Sequence, residues 1–289
     1  MIATRSSVTL LCAPIVNITL PLVGVRVVSM PSMITRLPVI VVAVPGVNIA
    51  VSKWITSLVA DTFRRPLDDG RRRPGLGGGL DIDQGTFSGG FNGHYAFSCS
   101  NGGVVHVNRS TFTKVTVATT NCELELRRST FTNQMDGGLQ IANGKVTIEN
   151  NIFSNGGATP DDSTISNVLA GSTLRFNTFV AYDTSADRSG VALACDSSLA
   201  VSSNIFAYGQ NAVVGCSPKY SLFDDARTMP ANQNNVLATL PQIFVSPTDF
   251  HLSATSPARG KGEPGTDIGI DLEGNVRPAM PDIGAYQTH

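Results

Sequence analysis

Ser110-Thr111-Phe112, Ser129-Thr130-Phe131, Asn151-Ile152-Phe153, Asn177-Thr178-Phe179, Asn204-Ile205-Phe206 and Ser221-Leu222-Phe223 repeat one pattern, Ser or Asn followed two residues later by Phe. The numbers of successive Phe residues differ by 19, 22, 26, 27 and 17. A period that centres on about twenty-two and changes only by insertion marks a solenoid, because stacked repeats keep their core frame and take up length differences in loops. Such a chain presents its chemistry along an exposed lateral face. Architecture is therefore easier to read from it than activity.

Alignment on Phe gives the kind of solenoid. Five residues before Phe stand Val107, Leu126, Ile148, Leu174 and Val201, and seven before stand Val105, Leu124, Val146, Ser172 and Leu199. Between them lie His106, Glu125, Thr147, Thr173 and Ala200, so apolar and mostly polar positions alternate as in a half-buried strand. The Ser or Asn before Phe falls at a bend, where a short polar side chain bonds backbone groups and tolerates a left-handed conformation. Stacked coil on coil, these side chains predict an internal ladder. After Phe come a polar, Gly-rich turn, a second strand (Leu139 to Ile141, Thr164 to Leu169, Val191 to Cys195, Asn211 to Val214) and a further turn at Asn143-Gly144, Ala170-Gly171 or Asp196-Ser197. Three short strands per coil with no helix-period segment describe an all-β, parallel β-helix solenoid of about six to seven coils, and the Leu-x-x-Leu-x-Leu frame of leucine-rich repeats is absent. The expected organisation is an N-terminal segment and linker over 1–76, the β-helix over 77–230 and a C-terminal cap over 231–289, with Phe250, Leu252, Ile268, Ile283 and Tyr286 folded over the last coil.

With this ladder bend the chain resembles the right-handed parallel β-helix proteins of the pectate lyase-like superfamily. Its tail, Asp249-Phe250-His251-Leu252, Ser256-Pro257-Ala258, Asp271-Leu272-Glu273-Gly274-Asn275-Val276-Arg277-Pro278 and Asp282-Ile283-Gly284-Ala285-Tyr286, resembles the C-terminal signature of bacterial surface β-helix proteins with a choice-of-anchor Q domain. The likeness covers roughly residues 80 to 287 and departs at Gln287, where that family usually carries Glu. It implies an extracellular or outer cell-surface location and, for the most part, no assigned activity.

Charged residues make up 15% of the chain and the formal net charge is -1, so no basic face invites nucleic acid. Residues 1–60 contain no Asp or Glu and only Arg5, Arg26, Arg36 and Lys53 as bases. They read as a signal peptide interrupted by Pro14, Asn17 and Pro21, as a membrane span broken by Pro21, Pro38 and Pro45, or as a misassigned start, which would explain the change of composition near Asp61. Of the five cysteines, Cys99 with Cys122 and Cys195 with Cys216 stand about one coil apart. Each pair is read either as a ladder disulfide, which would favour an oxidising compartment, or as stacked free thiols. No zinc spacing occurs.

Candidates for chemistry are few. In the enzymes that the chain resembles, substrate lies along the strand after the variable turn, and the two longest coils insert Asp161-Asp162 and Asp183, Asp187 and Arg188 at that turn. Asp161 and Asp187 both stand eight residues after their Phe, so in register they would share Ca²⁺ or divide acid and base roles, with Arg188 as a base or a contact for an acidic sugar. The competing reading is that Asp and Ser simply close turns through their own backbone. Gln140, Ser166 and Ala192, expected to face outward on the strand flooring that groove, include no ionisable group, which argues against catalysis. His94, His106, His251 and His289 show no partner spacing. Four residues before Phe stand Asn108, Arg127, Glu149, Arg175 and Ser202, an outward row in which Arg127, Glu149 and Arg175 form ion pairs or grip an anionic glycan, with Asp183 as a further contact. These residues point to a secreted or cell-surface monomer that is structural or contacts a polysaccharide or cell-surface glycan. The alternative is a polysaccharide lyase or glycoside hydrolase acting on an acidic polysaccharide at Asp161, Asp162, Asp187 and Arg188.

Overall fold

The computed structural model describes residues 79–89, 95–100, 102–133, 138–155, 163–181, 191–209, 212–265 and 269–289, together with the backbone of the strands Arg26–Val28, Val41–Val44, Val47–Ala50, Ile55–Val59 and Thr62–Arg64. Three parallel sheets run the length of a β-solenoid. The first stacks Gly79–Asp83, Val104–Asn108, Glu123–Arg127, Val146–Glu149, Thr173–Arg175 and Ala200–Ser202. The second stacks Thr86–Gly89, Thr111–Thr113, Thr130–Thr132, Ile152–Asn155, Thr178–Ala181, Ile205–Ala207, Leu222–Phe223 and Val236–Leu237. The third stacks Tyr95–Ser100, Thr116–Thr120, Leu139–Ala142, Ser163–Ser166, Leu193–Cys195 and Val213–Val214. At the N-terminal edge Ile55–Val59 and Thr62–Arg64 pair antiparallel with Thr86–Gly89 and Gly79–Asp83.

The solenoid completes about five turns, fewer than the six to seven expected. Its last Phe repeat is short of chain. Seventeen residues separate Phe206 from Phe223, and the first-sheet side of that coil shrinks to one bridge between Ser202 and Lys219 beside Pro218, which has no N–H to donate. At the other end Phe87 begins the stack one coil earlier than the Ser/Asn-x-Phe pattern indicates, because Gly85 replaces the ladder residue while Leu80 and Ile82 keep the apolar frame.

Inside, one aromatic column dominates. Phe87, Phe112, Phe131, Phe153, Phe179, Phe206 and Phe223 are all buried, and successive rings stack with centroids 4.8, 4.4, 4.7, 4.6, 5.3 and 5.2 Å apart. This spacing follows from the separation of parallel strands, about 4.8 Å, which places identical side chains face over face. Cys99–Cys122 and Cys195–Cys216 both form disulfides between neighbouring coils, with Cα atoms 6.2 and 5.4 Å apart, so the ladder-disulfide reading holds over that of free thiols.

The polar ladder runs beside the Phe column. The backbone N–H of Ser129 donates to Asn151 Oδ1, that of Asn151 to Asn177 Oδ1, that of Asn177 to Asn204 Oδ1 and that of Asn204 to Ser221 Oγ. In return the Nδ2 groups of Asn151, Asn177 and Asn204 donate to the carbonyls of Leu126, Ile148 and Leu174 on the preceding coil. A left-handed residue does occur at this bend, but it is the one before the ladder: Gln84, Arg109, Arg128, Asn150, Phe176, Ser203 and Tyr220 have φ between 46 and 58°. That residue makes the turn, and the ladder side chain then points into the core.

The C-terminal segment does more than cover the end. Val236–Leu237 extends the second sheet, and Ala238, Ile243, Phe244 and Leu252 join Val180, Ile205, Ala207 and Leu222 in a second core on that sheet's outer face. The chain then runs back as a strap along the ladder bend. Gly284 N–H donates to Ser203 O, Ala285 N–H to Thr178 Oγ1 and Glu263 N–H to Ser203 Oγ. Ile283 and Leu252 are buried as expected, whereas Phe250 and Tyr286 are only partly so and Ile268 lies outside the described residues. Arg277 fastens this strap. It is buried, donates from Nε and one terminal nitrogen to Asn150 Oδ1 at 3.2 and 2.7 Å, and lies 4.4 Å from the centroid of the Phe176 ring.

Replacing Asn177 by Ala should cost about 3 kcal/mol in denaturant unfolding, because the N–H of Asn151 and the carbonyl of Ile148 lose their partners in a dry interior. A loss below about 1 kcal/mol would show that packing alone holds the register. A chain ending at Met229 exposes Val180, Ile205, Ala207 and Leu222, and size-exclusion chromatography should show aggregates in place of a shorter monomer.

Candidate functional site

Strand geometry gives each sheet one outward face, and the outer face of the third sheet lies beside the variable turns after Phe. Its central row is Ser98, Ala118, Gln140, Thr164 and Ala194, and the next row is Ser100, Thr120, Ala142 and Ser166. Gln140 and Ser166, expected to face outward, do so in these two neighbouring rows, whereas Ala192 is buried. The strand there begins at Leu193, so Ala192 stands just before it, and the insertions of unequal length after Phe hide that start from the sequence. All described residues of these two rows are uncharged. Tyr95 stands exposed at the N-terminal end of the face and donates from its hydroxyl to Gln140 Oε1 at 2.9 Å. Such a surface can hydrogen-bond and stack on an uncharged ring, but no group in these rows takes or gives a proton near neutral pH.

Asp161, Asp162, Asp183, Asp187 and Arg188, with the Ca²⁺ role considered for Asp161 and Asp187, lie outside the described residues. Among the described residues no cluster of three His, Cys, Asp or Glu side chains could hold a metal ion.

The first sheet does bring Arg127, Glu149 and Arg175 together. Arg127 lies opposite Glu149 and Glu149 opposite Arg175, with Nε-to-carboxylate distances of 3.5 and 2.5 Å. Arg127 also meets Glu125 at 2.7 Å. The row is not uniformly exposed, since Glu149 is only 6% accessible, next to the bend where Arg277 of the strap reaches Asn150. Both arginines are thus engaged by a buried carboxylate, and removing one would leave that charge poorly compensated.

Two histidines have the partners that spacing did not reveal. His106 lies in register between Asp81 and Glu125, with Nδ1 at 2.7 Å from Asp81 and Nε2 at 3.6 Å from Glu125. The signal was present, because Leu80 and Ile82 carry the strand frame with Asp81 between them. Only the Gly at position 85 kept that coil out of the alignment. His251 pairs with Asp249 Oδ1 through Nδ1 at 2.5 Å and with Glu273 Oε1 through Nε2 at 3.2 Å, and its ring lies 3.9 Å from that of Tyr286. This cluster ties the hairpin Phe244–Ser246/Asp249–Leu252 to the strap. Burial works against the charged imidazole, but the hydrogen bonds to Asp249 and Glu273 outweigh it and raise the His251 pKa. The His251 bond in turn lowers that of Asp249, and burial pushes Tyr286 up to about 12.

Comparison of the chain with family models and with curated proteins finds no match.

The His251 contacts make the seating of the strap pH-dependent. A raised folded-state pKa stabilises fully below the unfolded value of about 6.5, and that contribution is lost as pH rises through the folded value. The melting temperature of the parent should therefore fall relative to His251→Gln as pH is raised from about 6 to 9. Parallel curves for the two proteins would assign the cluster no part in holding the strap.

Proposed function

We propose that this chain is a secreted or cell-surface β-solenoid module that contacts a polysaccharide or cell-surface glycan, with the outer face of the third sheet as the contact surface. The observation that carries the reading is the composition of that face. Hydroxyls and an amide from Ser98, Thr120, Gln140, Thr164 and Ser166 stand on successive strands beside the exposed ring of Tyr95. A sugar polymer offers the complementary groups, ring hydroxyls for the polar side chains and an apolar ring face for the aromatic. The rigid strand spacing sets these side chains at a regular pitch, so ordering them costs little entropy on binding. The two inter-coil disulfides support an oxidising compartment, where such bonds persist.

The described rows of the face favour retention over cleavage, since breaking a glycosidic bond by acid–base chemistry needs ionisable groups aimed at it. Affinity electrophoresis of the full chain through gels containing neutral and acidic polysaccharides, alongside an assay for released reducing ends, tests this. Retardation without product is expected, and Tyr95→Ala should weaken it by roughly tenfold, about 1.4 kcal/mol. Release of oligosaccharides would replace the module with a depolymerising enzyme. Unretarded migration in every gel would remove the glycan.

A further inference from the structure

The strap occupies two rows of side chains that begin well before the strap does. One is the left-handed bend row, in which Asn150, Phe176 and Ser203 take Arg277, Gly284 and Glu263. The other is the outer row of the second sheet beside it, in which Thr178 accepts Ala285 N–H while Ile205 and Leu222 pack against the cap. Three coils toward the N-terminus the same two rows continue in register as Gln84, Arg109 and Arg128, and as Thr86, Thr111 and Thr130. There the second-sheet row changes from buried, mostly apolar groups to hydroxyls alone, with Thr86 and Thr111 exposed. Over these earlier coils Gln84, Thr86, Arg109 and Thr111 of the two rows are exposed, and Arg128 and Thr130 are half-buried.

The charges along this stretch are unequally satisfied. Asp83 binds the Arg109 guanidinium through both carboxylate oxygens and accepts from Asn108. Arg127 is engaged by Glu125 and Glu149. Arg128, half-buried, donates from Nε to Asn108 Oδ1 at 3.1 Å, and its terminal nitrogens have no hydrogen-bond partner among the described residues. Burial and then the neighbouring Arg109 charge lower its pKa, only partly offset by Asp83 and by Asp271 of the strap. The planar fork of a guanidinium with free terminal N–H groups matches a carboxylate or sulfate.

We infer that this stretch of the bend is a second binding site, in which Arg128 receives the carboxylate or sulfate of an acidic polysaccharide while Thr111 and Thr130 bond its ring hydroxyls. An acidic polypeptide fits less well. The backbone N–H groups of Arg109, Arg128, Thr111 and Thr130 already bond to Arg127, Glu149, Gly85 and Ser110, so the site offers an incoming peptide strand side chains only. The inference rests on the glycan reading for its class of polymer, but it uses a different face of the solenoid.

The test measures binding of the full chain to polygalacturonate, dextran sulfate, neutral dextran and polyglutamate. Arg128→Gln should weaken binding to one or both acidic polysaccharides roughly tenfold, the loss of one charge-assisted contact, and leave neutral dextran unaffected. Thr130→Val keeps every charge and the strand-compatible shape, and it should weaken the same interaction several-fold. It decides the matter if Arg128→Gln does not fold. Lys145→Gln, an exposed cation at the turn between the third and first sheets, should change nothing. Unaltered binding in Arg128→Gln and Thr130→Val, an equal loss in Lys145→Gln, or polyglutamate binding as tight as that of the polysaccharides would each overturn the inference. The two faces separate cleanly. Loss through Tyr95→Ala with Arg128→Gln silent leaves only the third-sheet site, and loss through Arg128→Gln with Tyr95→Ala silent leaves only the bend.

Discussion

Each ladder side chain stands in for a peptide group between coils. Asn177 accepts the N–H of Asn151 and donates to the carbonyl of Ile148, so at the point where the backbone bends away from sheet pairing an amide side chain carries the bonding across. The exchange takes place where Asn151, Asn177 and Asn204 are fully buried, so a missing partner there would cost the desolvation of a polar group with nothing in return. Register is thereby held at the same place in every coil. The stacking of Phe on Phe, the alignment of both disulfides and the outward rows all follow from that single alignment, because a shift of one residue would turn each strand's core face outward.

The strap shows how the same bend is used from outside. A left-handed residue with a large side chain is unfavourable by roughly 1–2 kcal/mol, yet Phe176 adopts that conformation. Its buried ring lies under the Arg277 guanidinium, while Asn150 of the preceding coil, a residue that tolerates the left-handed region, accepts two bonds from the same group. Burial pulls the Arg277 pKa down to about 10, against the nearby charges of Asp271, Asp282 and Glu149 that support its proton. The arginine therefore stays charged at neutral pH and bonds the carbonyls of Asp282 and Gly284 as well, so one guanidinium ties two nearby stretches of the strap to the coil beneath. Asp282 and Asp271 are themselves filled by strap groups, among them Gly260, Thr288, Asn275 and Gln287. At position 287, where the sequence departs from the motif it resembles, Gln287 Oε1 accepts the backbone N–H of Asp282.

The candidate surfaces were legible to different degrees, for physical reasons. The ion pairs of Arg127, Glu149 and Arg175 could be read from the alignment, because positions at equal distance from Phe in consecutive coils must stack. The burial of Glu149 could not, since the residue beside it, Asn150, is met by Arg277 from a tail more than a hundred residues away in the chain, which no repeat spacing announces. Of the partners of His106, Glu125 stood beside it in the alignment, whereas Asp81 was hidden by the single exchange of Ser or Asn for Gly85 in the first coil. Of those of His251, Asp249 stands two residues before it on the same strand, whereas Glu273 was hidden because it reaches the ring only after the strap has folded back. On the third sheet Gln140 and Ser166 were legible as outward positions and the burial of Ala192 was not, as the turns between Phe and that sheet differ in length from coil to coil and carry no residue by which to count.

The sequence by itself determined what depends on repetition: a parallel solenoid, its Phe column, its Ser and Asn ladder and the cysteine pairs one coil apart. These are local rules applied again and again, and each repeat is evidence for the others. Only the tertiary structure decided which face the tail covers, which residues of the bend row stay exposed and how the charges there pair. Those outcomes come from a segment that occurs once, whose contacts join residues distant in the chain, so no periodicity announces them.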